Sequence, residues 1–118
     1  MTAVEEIRRA AALMRERATA ATPGPWESTP NGRILGPPRP EHANERELAE
    51  ILSFTIGETL NFGTADHIAS WHPAPVLAVA DLLDDCAWAI STQRIKPTSA
   101  LARRGLAVAR AYLDGERP

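Results

Sequence analysis

The sequence predicts an α+β domain with a leading helix, a small antiparallel sheet of two or three strands, and a helical C-terminal half. Apolar residues repeat at steps of three and four near the N-terminus and again beyond Pro73, a spacing typical of amphipathic helices. Between these segments prolines are frequent, from Pro23 to Pro40. The Asn31-Gly32 pair in that stretch is typical of a β-hairpin turn.

Length and charge set the class of protein. The chain has 118 residues, which fits a single domain over 1–118, and its net charge is −2, which gives no overall attraction to nucleic acid or anionic membranes. A lone cysteine excludes an internal disulfide and fits a reducing compartment. Since no apolar stretch is long enough to span a bilayer, we expect a cytoplasmic protein with no membrane contact.

The first helix is predicted over residues 3–20. Thr2 and Glu5 have the spacing of a capping box. The apolar stripe behind them consists of Val4, Ile7, Ala11, Met14 and Ala18. Pro23 requires the helix to end by Thr22, because the residue before a proline is disfavoured in the helical region.

A hairpin is predicted next, with strands near 26–29 and 33–35 joined by a type I′ turn at Asn31-Gly32. Pro30 cannot donate a ladder hydrogen bond and is placed at a strand end. Residues 36–40 form a proline-rich, extended connector.

Residues 41–63 allow two interpretations. Alternating apolar residues favour a strand over 49–56, whereas 41–52 is also rich in helix-forming residues. We predict a short helical turn at 41–46 and then the strand, with Gly57 and Gly63 on either side of a turn.

Three helices follow. Thr64 is the expected N-cap of a helix over 65–71, and Pro73 the first residue of a helix reaching Ser91. The last helix starts at 97–99 and ends near Leu113. The predicted buried residues of the last two helices are Val76, Val79, Leu83, Cys86 or Ala87, Ile90, Leu101, Gly105, Val108 and Tyr112.

Two histidines, His67 and His72, are candidates for a metal or small-ligand site together with Asp66. Their spacing of five does not place two ligands on one helix face, and no third ligand is specified. We therefore predict no metal and no cofactor. A small-ligand or metal-binding module using this region stays open as an alternative.

Catalytic and nucleic-acid signatures are absent from the sequence. Cys86 lies on an apolar stripe and is interpreted as a small hydrophobe, and Asp81, Asp84 and Asp85 as a solvated helix face. The prediction is therefore a protein that is not an enzyme. Arginines on the first and last helices leave a weak nucleic-acid association open as a further alternative, although we do not expect a nucleic-acid partner.

The tryptophans are the remaining candidates. Trp26 is predicted to pack in the core. Trp71 and Trp88 lie at the edges of their helices, where a tryptophan can anchor an interface. The predicted binding residues are Trp71, His67, His72 and Trp88.

Two motifs resemble a known family. Ala21–Trp26 reads A-T-P-G-P-W, and 65–77 reads A-D-H-I-A-S-W-H-P-A-P-V-L. Both are similar to blocks of the ead-like early-region proteins of phages and prophages and their actinobacterial relatives. The second block matches at Ile68-Ala69, Pro73, Val76 and Leu77, with Ala65 and Asp66 in reversed order, and His67, Trp71 and His72 resemble the actinobacterial variants.

The resemblance covers residues 4–83 and implies a phage or prophage accessory protein. The family is mostly of unknown function, so it assigns no catalytic residue, and its members have a shorter 41–63 segment. Together with the missing catalytic signatures, it leads us to expect a non-enzymatic protein that binds and modulates a host or phage protein. A homo-oligomer stays open.

Overall fold

Four helices and three strands make up the described part of the chain, which in this computed structural model comprises residues 1–37, 55–58 and 62–114. The predicted α+β fold with a helical C-terminal half is confirmed. In chain order the elements are α1 (Ala3–Ala20), β1 (Glu27–Ser28), β2 (Arg33–Leu35), β3 (Thr55–Glu58), α2 (Phe62–Ser70), α3 (Pro73–Ser91) and α4 (Ala100–Asp114).

The chain divides into two compact units. The helical unit consists of Met1–Arg17 and Val76–Pro118, and the sheet unit of Ala18–Pro75. The assignment of the whole chain to a single domain stays a prediction. Of the predicted connector, Gly36 and Pro37 have no regular structure, while 38–40 lie outside the described residues.

The N-terminal helix has the predicted bounds. Its capping box is formed, because the Glu5 amide donates to Thr2 Oγ1 at 3.1 Å and the Thr2 amide to Glu5 Oε2 at 3.3 Å. Ile7, Ala11 and Met14 of the predicted stripe are buried in the helical unit.

The core of the helical unit is rich in small side chains. Alanines from all three helices are buried beside the larger Ile7, Met14, Leu83 and Ile90: they are Ala10, Ala11, Ala80, Ala87, Ala102 and Ala109. Small side chains allow helix axes to approach closely. The buried face of α3 is the predicted one, with Val76 and Val79 partly buried against the core.

The predicted inner face of α4 is partly wrong. Gly105 is buried, but Leu101 and Val108 are 53% and 44% exposed, and the helix instead buries Ala102 and Ala109. A Cβ at Gly105 would lie 2.6 Å from Cys86 Sγ, so α3 and α4 are in close contact there. The helix therefore packs through its smallest residues, and the larger Leu101 and Val108 face outward.

The hairpin forms with a different turn. β1 and β2 are antiparallel, with Ser28 opposite Ile34, and the amide of Gly32 donates to the carbonyl of Thr29 at 2.9 Å. Gly32 has a φ of 82°, whereas Asn31 is not among the described residues with positive φ. The predicted type I′ turn is therefore wrong, and the geometry is that of a three-residue loop in which a left-handed glycine follows a type I turn. Pro30 takes the second position of that turn, which suits its fixed φ.

The third strand, β3, runs antiparallel to β2, with Arg33 opposite Glu58 and Ile34 opposite Gly57. The sheet order is β1-β2-β3. The predicted helical turn at 41–46 and most of the predicted strand at 49–56 lie outside the described residues. Gly57 lies inside β3 and Gly63 inside α2, so the turn expected between them does not have those ends.

The helix after the sheet begins earlier than predicted. α2 starts at Phe62, so Thr64 is inside the helix and is not its N-cap. Pro73 is the first residue of α3, as predicted. At the start of α4, Ser99 Oγ accepts a hydrogen bond from the Ala102 amide at 3.2 Å, so Ser99 is the N-cap and the helix begins at Ala100, just after the predicted start at 97–99.

Candidate functional site

The two sequence motifs meet in the sheet unit. Gly24 of the first motif lies against His72 of the second, where a Cβ on Gly24 would be 2.5 Å from Nδ1 of the imidazole. Any larger residue at this position would overlap the ring and force His72 to move.

Trp26, two residues after Gly24, packs within the sheet unit. Its indole Nε1 donates to the carbonyl of Thr22 at 2.9 Å, and its ring packs on Ile34, Ala65 and Ala69. The prediction that Trp26 packs in the core is confirmed, although its side chain is only partly buried. A short motif therefore joins the sheet to α2 through one aromatic ring.

Asp66, a candidate ligand, is engaged with the sheet. The hydroxyl of Ser28 on β1 donates to its carboxylate. This bond ties α2 to the edge of the sheet, and it gives Asp66 a structural role within the unit.

The two candidate histidines occupy different surroundings. His67 is exposed on α2, while Nδ1 of His72 is enclosed and has no hydrogen-bond partner among the described residues. The same residues contain no group of three or more histidine, cysteine, aspartate or glutamate side chains that could hold a metal ion. The structure thus brings His72 to Gly24 and does not group it with His67 and a third ligand.

Trp71 follows α2 and is 47% exposed. Its amide donates to the carbonyl of Ile68 at 3.0 Å, and Ile68 is itself 39% exposed. The backbone of Trp71 is held by this hydrogen bond, and about half of the residue's surface is exposed, so its ring can contact a partner.

Trp88, in the helical unit, is 51% exposed on α3. The guanidinium of Arg94 lies 4.7 Å from the centre of its ring, a cation–π distance. The helix ends just beyond it at Ser91, whose hydroxyl donates to the carbonyl of Trp88 at 3.0 Å.

The chain reversal after α3 explains how Arg94 reaches Trp88. Gln93 has a φ of 60°, in the left-handed region that usually favours glycine. The amide of Arg94 then donates back to the carbonyl of Ala89 at 2.9 Å. A non-glycine residue in this region carries a cost of about 1–2 kcal/mol, which the surrounding structure must offset.

Acidic residues of α3 are partly neutralised. Arg15 donates to Asp81 at 2.7 Å and also to Asp84. These hydrogen bonds, the one to Asp81 first, raise the pKa of Arg15. The solvated acidic face that the sequence predicts is therefore in part an ion-pair contact between α1 and α3.

Cys86 is buried and donates a weak hydrogen bond to the carbonyl of Leu101 at 3.7 Å. Burial raises the pKa of its thiol, which lowers the thiolate fraction near neutral pH. The surroundings are those of a packing residue.

Sequence reasoning missed two features of this geometry. Arg94 is six residues from Trp88 across a helix end, a distance for which helical periodicity gives no pairing. The Gly24–His72 contact joins distant segments. No local sequence signal gives either contact, because the first depends on the backbone turn at Gln93 and the second joins segments far apart in the chain.

Comparisons of the chain with protein families, curated proteins and solved structures find no match. None of the helices in the described ranges is both long and apolar enough to cross a membrane.

Proposed function

We propose that this chain is a non-enzymatic accessory protein of phage or prophage origin that acts in the cytoplasm by binding and modulating a host or phage protein. The observation that carries the proposal is the exposure of two tryptophans, Trp71 at 47% and Trp88 at 51%. Tryptophan is strongly enriched among the residues that dominate binding energy at protein interfaces. The phage origin rests on the resemblance of the two sequence motifs.

Local contacts distinguish a tryptophan that is used inside the fold, Trp26, from one that is exposed, Trp88. Trp26 is used inside the fold, because its indole N–H bonds to Thr22 and its ring packs on Ile34. Trp88 instead faces water with an arginine stacked on it. Leaving half of a tryptophan in water gives up part of the stabilisation that its burial would bring, which a partner surface would restore.

The test is a comparison of captured partners. Tagged wild-type protein, Trp88→Ala, Trp71→Ala and Leu82→Ala are expressed in an actinobacterial host, and the proteins that co-purify are quantified. Leu82 is the matched control, since it is 61% exposed and lies on the same helix as Trp88 but six residues away, on another side.

The expected result is one protein retained by the wild type and by Leu82→Ala and reduced by about tenfold or more in at least one tryptophan variant. Equal retention by all four proteins, or no specific partner, would contradict the proposal.

The origin is tested separately by prophage induction, where transcription of this gene is expected to rise with that of neighbouring phage genes. Transcription independent of such genes would refute it.

A further inference from the structure

One long stretch of the helical unit, residues 86–113, carries charge of one sign only. Residues 86–113 contain five cations and no acidic residue: they are Arg94, Lys96, Arg103, Arg104 and Arg110. Since the whole chain has a net charge of −2, this stretch is locally electropositive against an acidic remainder.

Four of these cations have no acidic partner among the described residues. Arg110 pairs with Glu6 at 3.1 Å, whereas the described residues give no ion pair to Arg94, Lys96, Arg103 or Arg104. Cations without paired carboxylates attract acidic ligands without first having to break an internal ion pair.

One of these four cations, Arg94, contacts Trp88, and a second, Lys96, is close to it in the chain. Arg94 is stacked on the indole, and Lys96 follows two residues later. A third cation, Arg8 of α1, lies at the last turn of α3, because its Nη2 is 3.4 Å from Ser91 Oγ, and that hydroxyl also bonds to the backbone carbonyl of Trp88. We name Arg8, Trp88, Arg94 and Lys96 the basic corner.

The backbone holds this arrangement at an energetic cost. Gln93 adopts a left-handed φ of 60°, and this conformation turns Arg94 back over the helix that has just ended. Residues in sparsely populated backbone regions are concentrated at binding sites, where the geometry they fix is used.

We propose that the basic corner binds an acidic peptide segment of the protein partner, with the exposed edge of Trp88 contacting an apolar side chain and the three cations contacting carboxylates. This inference rests on the proposed function, since it names the chemistry of the partner. It is carried by the exposed ring of Trp88 with Arg94 on one face, and by two more cations, Lys96 and Arg8, near the end of the same helix, none of which has an ion pair with an acidic side chain among the described residues.

A short peptide fits the corner better than a nucleic acid. Arg94 covers one face of the indole, so a base could not stack there without displacing the guanidinium. Asp85, exposed one turn before Trp88, repels phosphates and carboxylates alike, so a short ligand that stays at the end of α3 is favoured over a long phosphate backbone that follows the helix. An acidic peptide needs only the few contacts that the corner offers.

The probe is a display library of short random peptides, selected on the full-length wild-type protein. The most enriched peptide is then synthesised with a fluorescent label, and its dissociation constant is measured by anisotropy at low and high salt. A labelled single-stranded oligonucleotide is measured in parallel. Circular dichroism verifies that each variant is folded.

Four variants separate charge, stacking and position. Arg94→Glu with Lys96→Glu reverses the corner and should weaken binding by about tenfold or more. Arg94→Lys keeps the charge and should weaken it by less than about fivefold. Trp88→Ala should weaken it by about tenfold or more. Arg103→Glu with Arg104→Glu makes the same change of net charge on α4 and should have a smaller effect than the corner reversal, because exposed charges at a distance are screened.

Acidic peptides that lose affinity with salt and with the corner reversal support the inference. Neutral or basic peptides, an equal loss in the Arg103/Arg104 control, or binding of the oligonucleotide alone would overturn it. If a cellular partner depends on Trp88 but is unaffected by reversal of Arg94 and Lys96, the proposed function stands and this inference fails.

Discussion

Replacing Gly105 by alanine is expected to destabilise the helical unit, although alanine is the better helix former. The added Cβ would lie 2.6 Å from Cys86 Sγ, about 1 Å inside the usual optimum for non-bonded heavy atoms. Its other neighbours, Cys86 Cβ at 3.5 Å and Ile7 Cδ1 at 3.9 Å, would be at ordinary contact distances. The conflict is therefore with a single sulfur atom.

The magnitude follows from two opposing effects. Glycine to alanine inside a helix stabilises by about 1 kcal/mol. Inserting a methyl group into a packed core costs about 1–3 kcal/mol. The expected net loss for Gly105→Ala is thus about 0–2 kcal/mol, and it would rise toward the upper value if Cys86 cannot rotate away.

A double-mutant cycle isolates the contact. In a Cys86→Ala background the sulfur is gone, so Gly105→Ala should become stabilising by about 0.5–1 kcal/mol. The free energy of unfolding is measured for all four proteins by urea denaturation followed by far-UV circular dichroism. If Gly105→Ala stabilised the wild type as much as it stabilised the Cys86→Ala background, the close α3–α4 contact would be refuted.

Three further predictions concern other contacts. Gly24→Ala should destabilise the sheet unit by about 1–3 kcal/mol because its Cβ overlaps the His72 ring. Adding His72→Ala to that variant should restore stability in part, as followed by urea denaturation and tryptophan fluorescence. An unchanged urea midpoint in Gly24→Ala would disprove the overlap. Burial raises the pKa of the Cys86 thiol, so the stability that this thiol contributes is present below its unfolded-state pKa and is lost as the pH rises through its folded-state pKa. For the same reason, an aromatic disulfide should react slowly with the thiol of the native protein and quickly after unfolding. Equal rates would show an accessible thiol. Arg15→Leu should lower the thermal midpoint more at low than at high salt, because salt screens the ion pair with Asp81. The decrease should be the same between about pH 6 and 8, because the pKa of Arg15 is raised from an already alkaline value. A decrease that does not depend on salt would contradict an ion-pair role.

Periodicity predicted the elements better than their contact faces. α1 has the predicted bounds because its cap, stripe and terminating proline agree. For α4 the predicted face was right at Gly105 and Tyr112 and wrong at Leu101 and Val108, since the helix packs through Ala102, Gly105 and Ala109. That choice depends on how closely α3 approaches, which is a tertiary property.

Turn chemistry shows the same limit. Asn31-Gly32 correctly predicted a hairpin between β1 and β2. The register, however, makes Thr29 and Arg33 the last paired residues, so Pro30 becomes part of the loop and Gly32 alone takes the left-handed conformation. A dipeptide signal does not determine where the pairing stops.

The candidate site was predictable in part. Trp71 and Trp88 at helix edges were predicted as interface anchors, and both are about half exposed, although their role in binding stays a prediction. Arg94 on Trp88 could not be derived, because it depends on the left-handed Gln93. The proposed partner chemistry therefore comes from the geometry of a helix end.

The affinity of the selected peptide for wild-type protein and for the Arg94→Glu/Lys96→Glu variant tests the central claim most directly. We expect an acidic peptide whose dissociation constant rises by about tenfold or more in the variant, while the Arg103→Glu/Arg104→Glu control has a smaller effect. Equal affinity for the wild type and the corner variant would contradict the claim that this corner, with Trp88 at its centre, is the binding surface.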